Sequence, residues 1–74
     1  MIHRVKGTMK LEINGETRSV PACATVLELL DTLGIKPERV AVELNRRIVK
    51  RQNWGQTPVT ESDRIEIVQF VGGG

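Results

Sequence analysis

Seventy-four residues make one domain, and about 60% of the unfolded surface can be buried at that size, with no room for a cleft between two lobes. Hydrophobic residues at 39% and charged residues at 27% are ordinary for a globular fold, and a net charge of +2 with acids and bases interspersed argues only weakly for a nucleic-acid partner. The single cysteine excludes an internal disulfide and fits a reducing cytoplasm, and no apolar run approaches the roughly 20 residues that span a bilayer.

Residues 1–8 are polar and without period, and read as an N-terminal extension with neither the apolar core nor the cleavage site of a signal peptide. His3 is the only histidine, so no metal site is expected around it. Met9, Leu11 and Ile13 alternate with Lys10 and Glu12, which predicts a half-buried strand. Asn14-Gly15 then predicts a type I′ hairpin turn, where both central residues need positive φ. Glu16 to Val20 returns as a second strand, which Pro21 ends or confines to a sheet edge.

Thr25 and Glu28 have the spacing of a capping box, with Glu28 reaching back to the Thr25 amide. Val26, Leu29, Leu30 and Leu33 follow as one apolar stripe, a short helix closed by Gly34 and kept from restarting by Pro37. Val40, Val42 and Leu44 predict the inward face of a third strand over 40–45. Asn45-Arg46 makes a tight turn into a fourth strand, Arg47 to Lys50. Residues 51–57 read as irregular, with Trp54 covering the edge of the core. Residues 58–63 read as a polar turn. Ile65 and Ile67 alternate with Arg64 and Glu66 in a last strand, which runs into Gly72-Gly73-Gly74.

Glycines have no side chain to pack and lose much backbone entropy on ordering, so 72–74 are expected to form a thin, flexible tail tipped by the Gly74 carboxylate. Such a thread fits a cleft in which any Cβ would clash. If Ile65 and Ile67 face the helix, alternation sends Val68 and Phe70 to the open face. There, with Val71 beside them, they form an apolar docking patch next to the tail, unless a bulge turns Phe70 inward. Cys23, just before the helix, is read as a buried structural thiol rather than a sulfur relay. Arg46, Arg47, Lys50 and Arg51 form a basic cluster; most such clusters are solvated surface, and one that acts would steer an acidic partner. The sequence offers no nucleophile–histidine–acid set and no phosphate-binding loop, so no catalytic residue is expected.

The order β-β-α-β-β-β is α+β: a sheet with one helix across one face and the other face open to water. Together with the stretches Met9 to Gly15, Thr25 to Leu30, Val42 to Asn45, Ile48 to Trp54 and Asp63 to Gly74, it resembles the β-grasp, ubiquitin-like fold. More narrowly it resembles the ThiS family of sulfur carriers of thiamin biosynthesis. Two features depart from that pattern: Ser62-Asp63 stands where members often have Gly-Asp, and residues 1–8 are extra. The resemblance implies a β-grasp domain over 9–71, a mixed sheet of four to five strands with one helix packed across one face and the last strand parallel to the first at its centre. It implies that the Gly74 carboxylate is adenylated by a ThiF-like enzyme using ATP and magnesium, with Gly72 and Gly73 giving clearance. Sulfur would come from a cysteine desulfurase system, and the Gly74 thiocarboxylate would pass to a ThiG-like thiazole synthase. The chain itself would bind no cofactor or metal, catalyse nothing, and be a cytoplasmic monomer when free, with no membrane or nucleic-acid partner. A molybdopterin synthase small subunit, a ubiquitin-like modifier and a binding-only β-grasp module share the expected fold.

Overall fold

The computed structural model describes residues 7–70. Its elements run β1 (Thr8–Ile13), β2 (Glu16–Pro21), α1 (Val26–Thr32), β3 (Val40–Leu44), β4 (Arg47–Val49) and β5 (Arg64–Gln69), with 3₁₀ turns at Pro37–Arg39 and Arg51–Gln56. The five strands form one mixed sheet in the order β2-β1-β5-β3-β4. β5 pairs parallel to β1 and antiparallel to β3, so the strand nearest the C-terminus joins two hairpins that do not otherwise share an edge.

Each hairpin turns where the backbone needs positive φ. Asn14 (φ 51°) and Gly15 (φ 85°) make the first turn, and Asn45 (φ 51°) and Arg46 (φ 72°) the second. Those angles match the type I′ turn, whose twist suits the flanking strands. β1 begins at Thr8, one residue before the alternating run. The Ala22 N–H donates to the Gly7 carbonyl at 2.9 Å, which carries the outer hairpin one step past Pro21.

The helix starts on Thr25, whose Oγ1 accepts from the Glu28 N–H at 3.2 Å. The Glu28 carboxylate accepts from the Ala24 amide, one residue earlier than a capping box would place it. Val26 and Pro58 explain the tighter entry: the Val26 N–H donates to Thr57 O and the Val59 N–H to Ala24 O, and Thr25 bridges Pro58. At the other end, Gly34 (φ 73°) donates to Asp31 O and Ile35 to Leu30 O, the paired bonds of a Schellman cap. The regular helix is therefore Val26–Thr32, with Leu33 as its C-cap and only partly buried.

Val26, Leu29 and Leu30 lie against the inward residues Leu11, Ile13, Val42 and Ile65 in one core. Two residues enlarge this core beyond what periodicity indicates. Val59 is buried, although its segment is mostly polar. Trp54 is buried in a 3₁₀ turn where irregular chain was expected, and its Nε1–H donates to Val49 O at 2.8 Å, which settles the one polar atom of a large ring. That turn also ends β4 at Val49, leaving Lys50 outside the strand.

Ser62, where the Gly-Asp pattern would place glycine, has φ 73°. A left-handed L-residue costs about 1–2 kcal/mol, and glycine gives back about 0.5–1 kcal/mol of that in backbone entropy. Ser62→Gly is therefore expected to stabilise the fold by about 0.5 kcal/mol or more. A urea titration that shows an unchanged or lower midpoint would contradict this.

Candidate functional site

The bonds of β5 fix which way its side chains point. The Asn45 N–H donates to Arg64 O at 2.7 Å and the Phe70 N–H to Arg39 O at 2.8 Å, so the even-numbered residues bond toward β3. The register is unbroken from Leu44↔Ile65 to Val40↔Gln69, and no bulge interrupts it. Ile65 and Ile67 consequently face the helix and are buried, while Glu66, Val68 and Phe70 occupy the open face.

Val68 and Phe70 are each 57% exposed. The expectation that they form an apolar pair on the water-facing side of the sheet is met in their placement, and the inward-turned alternative for Phe70 is not. Ala41 lies beside Val68 in the ladder and is also exposed. Ile48, on the same face of β4, is 76% exposed. Glu43 and Glu66 stand opposite one another between Ile48 and the Val68 pair. The apolar patch at the end of β5 therefore has an acidic margin. Val71, Gly72, Gly73 and Gly74 lie outside the described residues.

β1 accompanies β5 only at Glu12↔Arg64 and Ile13↔Ile65. Beyond that point β1 turns away, and the Asn14 side chain takes up the next groups of β5. The Ile67 N–H donates to Asn14 Oδ1 at 2.7 Å, and Asn14 Nδ2–H donates to Ile67 O at 3.1 Å. A hollow of about 380 Å³ opens beside this clamp, bounded by Ile13, Asn14, Arg18, Leu33, Ile67 and Gln69. A larger one, about 580 Å³, lies on the outer side of the helix around Leu27, Ile35 and Pro37, and no residue of β5 lines it.

Cys23 is buried in the core, as the structural reading of this thiol requires. Arg46, Arg47, Lys50 and Arg51 are all exposed around the β3–β4 turn and the turn that follows β4. Among the described residues no three His, Cys, Asp or Glu side chains converge as a metal site would need, and no polar or charged residue is buried. No helix among them is long and apolar enough to cross a membrane. Sequence reasoning missed Asn14 as more than a turn residue; Asn-Gly signals the turn but not where the amide goes.

The model of the ThiS family matches residues 11–74. The sulfur carrier protein ThiS of Escherichia coli K12 is 33% identical over 66 residues, which are 89% of this chain and all of that protein. A thiazole synthase of Paramagnetospirillum magneticum is 48% identical over 66 residues, 89% of this chain but 20% of that protein. The chain thus spans about a fifth of the length of the thiazole synthases it matches. The crystal structure of the thiamine biosynthesis protein ThiS from Geobacter metallireducens superimposes with a TM-score of 0.77 at 36% identity, covering 89% of this chain and all of that one.

Because Phe70 contributes little to the core, Phe70→Ala is expected to change unfolding free energy by no more than about 0.5 kcal/mol. Chemical denaturation checks this, and a loss of the size seen for core phenylalanines, about 3 kcal/mol or more, would place the ring inside the fold.

Proposed function

The chain belongs to the ThiS family, and from that membership we propose that it is a sulfur carrier for thiamin biosynthesis whose working group is the Gly74 carboxylate. One observation carries the reading: the central strand passes beyond its neighbour β1 in unbroken register, and the sequence that continues it is Val71-Gly72-Gly73-Gly74. A strand anchored deep in the sheet gives that end a rigid base. Side-chain-free residues after it let a terminal acid enter a narrow cleft.

The chemistry belongs to partners. A carboxylate is a poor acyl donor until one of its oxygens attacks the α-phosphate of ATP, releasing pyrophosphate and leaving an acyl-adenylate. A ThiF-like enzyme with its own ATP and magnesium would perform that step. A persulfide sulfur from a cysteine desulfurase system then attacks the acyl carbon and expels AMP. Cleavage of the resulting S–S bond by a thiol leaves the thiocarboxylate on Gly74. Gly72 and Gly73 contribute clearance, and the chain itself supplies no acid, base or metal ligand. A reducing cytoplasm suits both the thiol step and the buried Cys23.

Val68 and Phe70, with Val71, form the docking patch in this reading. An exposed apolar pair at the root of the reactive end lets an enzyme hold the body while the tip reacts. Of the basic residues, Arg46 and Arg47 lie at the far end of β3 while Lys50 and Arg51 follow β4 as it runs back along β3, and in this reading the four serve association rate rather than positioning. The similarity to thiazole synthases supports a ThiG-like acceptor, since a carrier-like stretch is part of those proteins.

Incubation with a ThiF-like enzyme, ATP, magnesium and a persulfide donor is expected to replace one oxygen of the chain by sulfur, localised to Gly74 by intact and fragment mass spectrometry. Gly73→Val is expected to fold with an unchanged midpoint and to resist adenylation. An unmodified wild-type chain would defeat the carrier reading, and an efficiently adenylated Gly73→Val would defeat the clearance argument.

A further inference from the structure

We propose that Asn14 is a positioning residue for the reactive end of the chain: its side-chain amide stands in for the strand that β5 lacks beyond Ile65 and holds the docking patch in register. The inference rests on the carrier reading above and adds a residue to it.

Odd-numbered residues of β5 direct their N–H and C=O groups away from β3, toward β1. At Ile65 this requirement is met by the β1 backbone, since the Asn14 N–H donates to Ile65 O at 2.9 Å. At Ile67 no backbone is left to meet it, because the chain has already turned at Asn14-Gly15. A carboxamide presents one acceptor and two donor hydrogens with nearly the spacing of a peptide group. Asn14 uses both ends, accepting from Ile67 N–H at 2.7 Å and donating to Ile67 O at 3.1 Å. One side chain thereby completes the ladder at the residue that immediately precedes Val68.

Asn45 performs the mirror task at the start of the strand. Its Oδ1 accepts from Arg64 N–H at 2.9 Å, its backbone N–H donates to Arg64 O at 2.7 Å, and its Nδ2–H donates to Asp63 Oδ1 at 3.0 Å. β5 is therefore held at Arg64 and again at Ile67 by the first central residue of a type I′ turn. Only the Asn14 end adjoins Val68 and Phe70. Loss of the Asn45 amide loosens the body, whereas loss of the Asn14 amide loosens the segment that docks. A docking patch that must be ordered during association binds more weakly, and the cost appears in KM rather than in kcat.

Glycine at position 14 keeps the positive φ of the turn and removes only the amide. In Asn14→Gly the Ile67 amide is expected to exchange with solvent at least about tenfold faster relative to Val42, read by NMR. Its KM as a substrate of the ThiF-like adenylating enzyme is expected to rise about threefold to tenfold, with kcat within about twofold of wild type. Asn14→Asp keeps the acceptor for Ile67 N–H and should fall between the two. Asn45→Gly is the control for a purely structural effect: it should lower the unfolding midpoint and leave KM unchanged. Equal KM for wild type and Asn14→Gly, or equal increases in Asn14→Gly and Asn45→Gly, would overturn the assignment. A wild-type chain that is never adenylated would instead overturn the carrier reading beneath it.

Discussion

The interaction on which the fold depends is the insertion of β5 between two hairpins. β1 and β2 can pair as soon as they are made, and so can β3 and β4. Neither hairpin alone has the three strands or the helix needed to be stable in water. β5 supplies the missing neighbour to both, and Ile65 near its start, paired to β1 on one side and β3 on the other, is fully buried. The body closes only when the last part of the chain is in place. The same strand that completes the core precedes the glycines in sequence, and its register against β3 holds from Ile65 to Gln69.

Strict alternation along β5 then does two jobs at once. Ile65 and Ile67 bury against Leu11, Val42 and the helix, while Val68 and Phe70 are carried to the opposite face. A one-residue slip against β3 would exchange these faces, and with them the core and the patch. The register is therefore guarded by the cost of exposing two isoleucines, about 1.5–3 kcal/mol each. The exposed apolar pair is maintained by the core on the other side of the same strand.

Much of this was legible in the residues. Met9, Leu11 and Ile13 marked β1, Asn14-Gly15 its turn, and the Val26–Leu29–Leu30 stripe the buried face of the helix. The exposure of Phe70 followed from period two on the condition that no bulge intervened, and the β3–β5 ladder has none. What periodicity could not give was which strand lies beside which, because alternation says how a strand faces but not whom it pairs; that order came from resemblance to a family. Val59 was hidden for a related reason. A single apolar residue amid Pro58, Thr60 and Glu61 has no period, and its burial comes from bonds between Ala24 and Val59 and between Val26 and Thr57. Trp54 was placed at the core but not in a 3₁₀ turn, since a tryptophan side chain says little about the backbone that delivers it.

The strained residues of the fold tell the same story from the other side. Asn14, Asn45, Arg46 and Ser62 all have positive φ without being glycine. Such angles persist only where surrounding bonds over-determine them. Asn14 and Asn45 are fastened to Ile67 and Arg64, and the Ser62 N–H donates to Lys10 O at 2.8 Å. Asp63 follows at once, its backbone carbonyl accepting from Glu12 N–H at 3.0 Å and its carboxylate accepting from Thr60 N–H at 2.8 Å and from Asn45 Nδ2 at 3.0 Å. Three of the four strained positions thus lie where a turn must meet β5 or its entry, and the bonds that fix the central strand are the ones that hold those turns in an unfavourable shape. Arg46 is the exception: its strain belongs to the hairpin turn itself, where Asn45 on its N-terminal side carries all of the side-chain bonding.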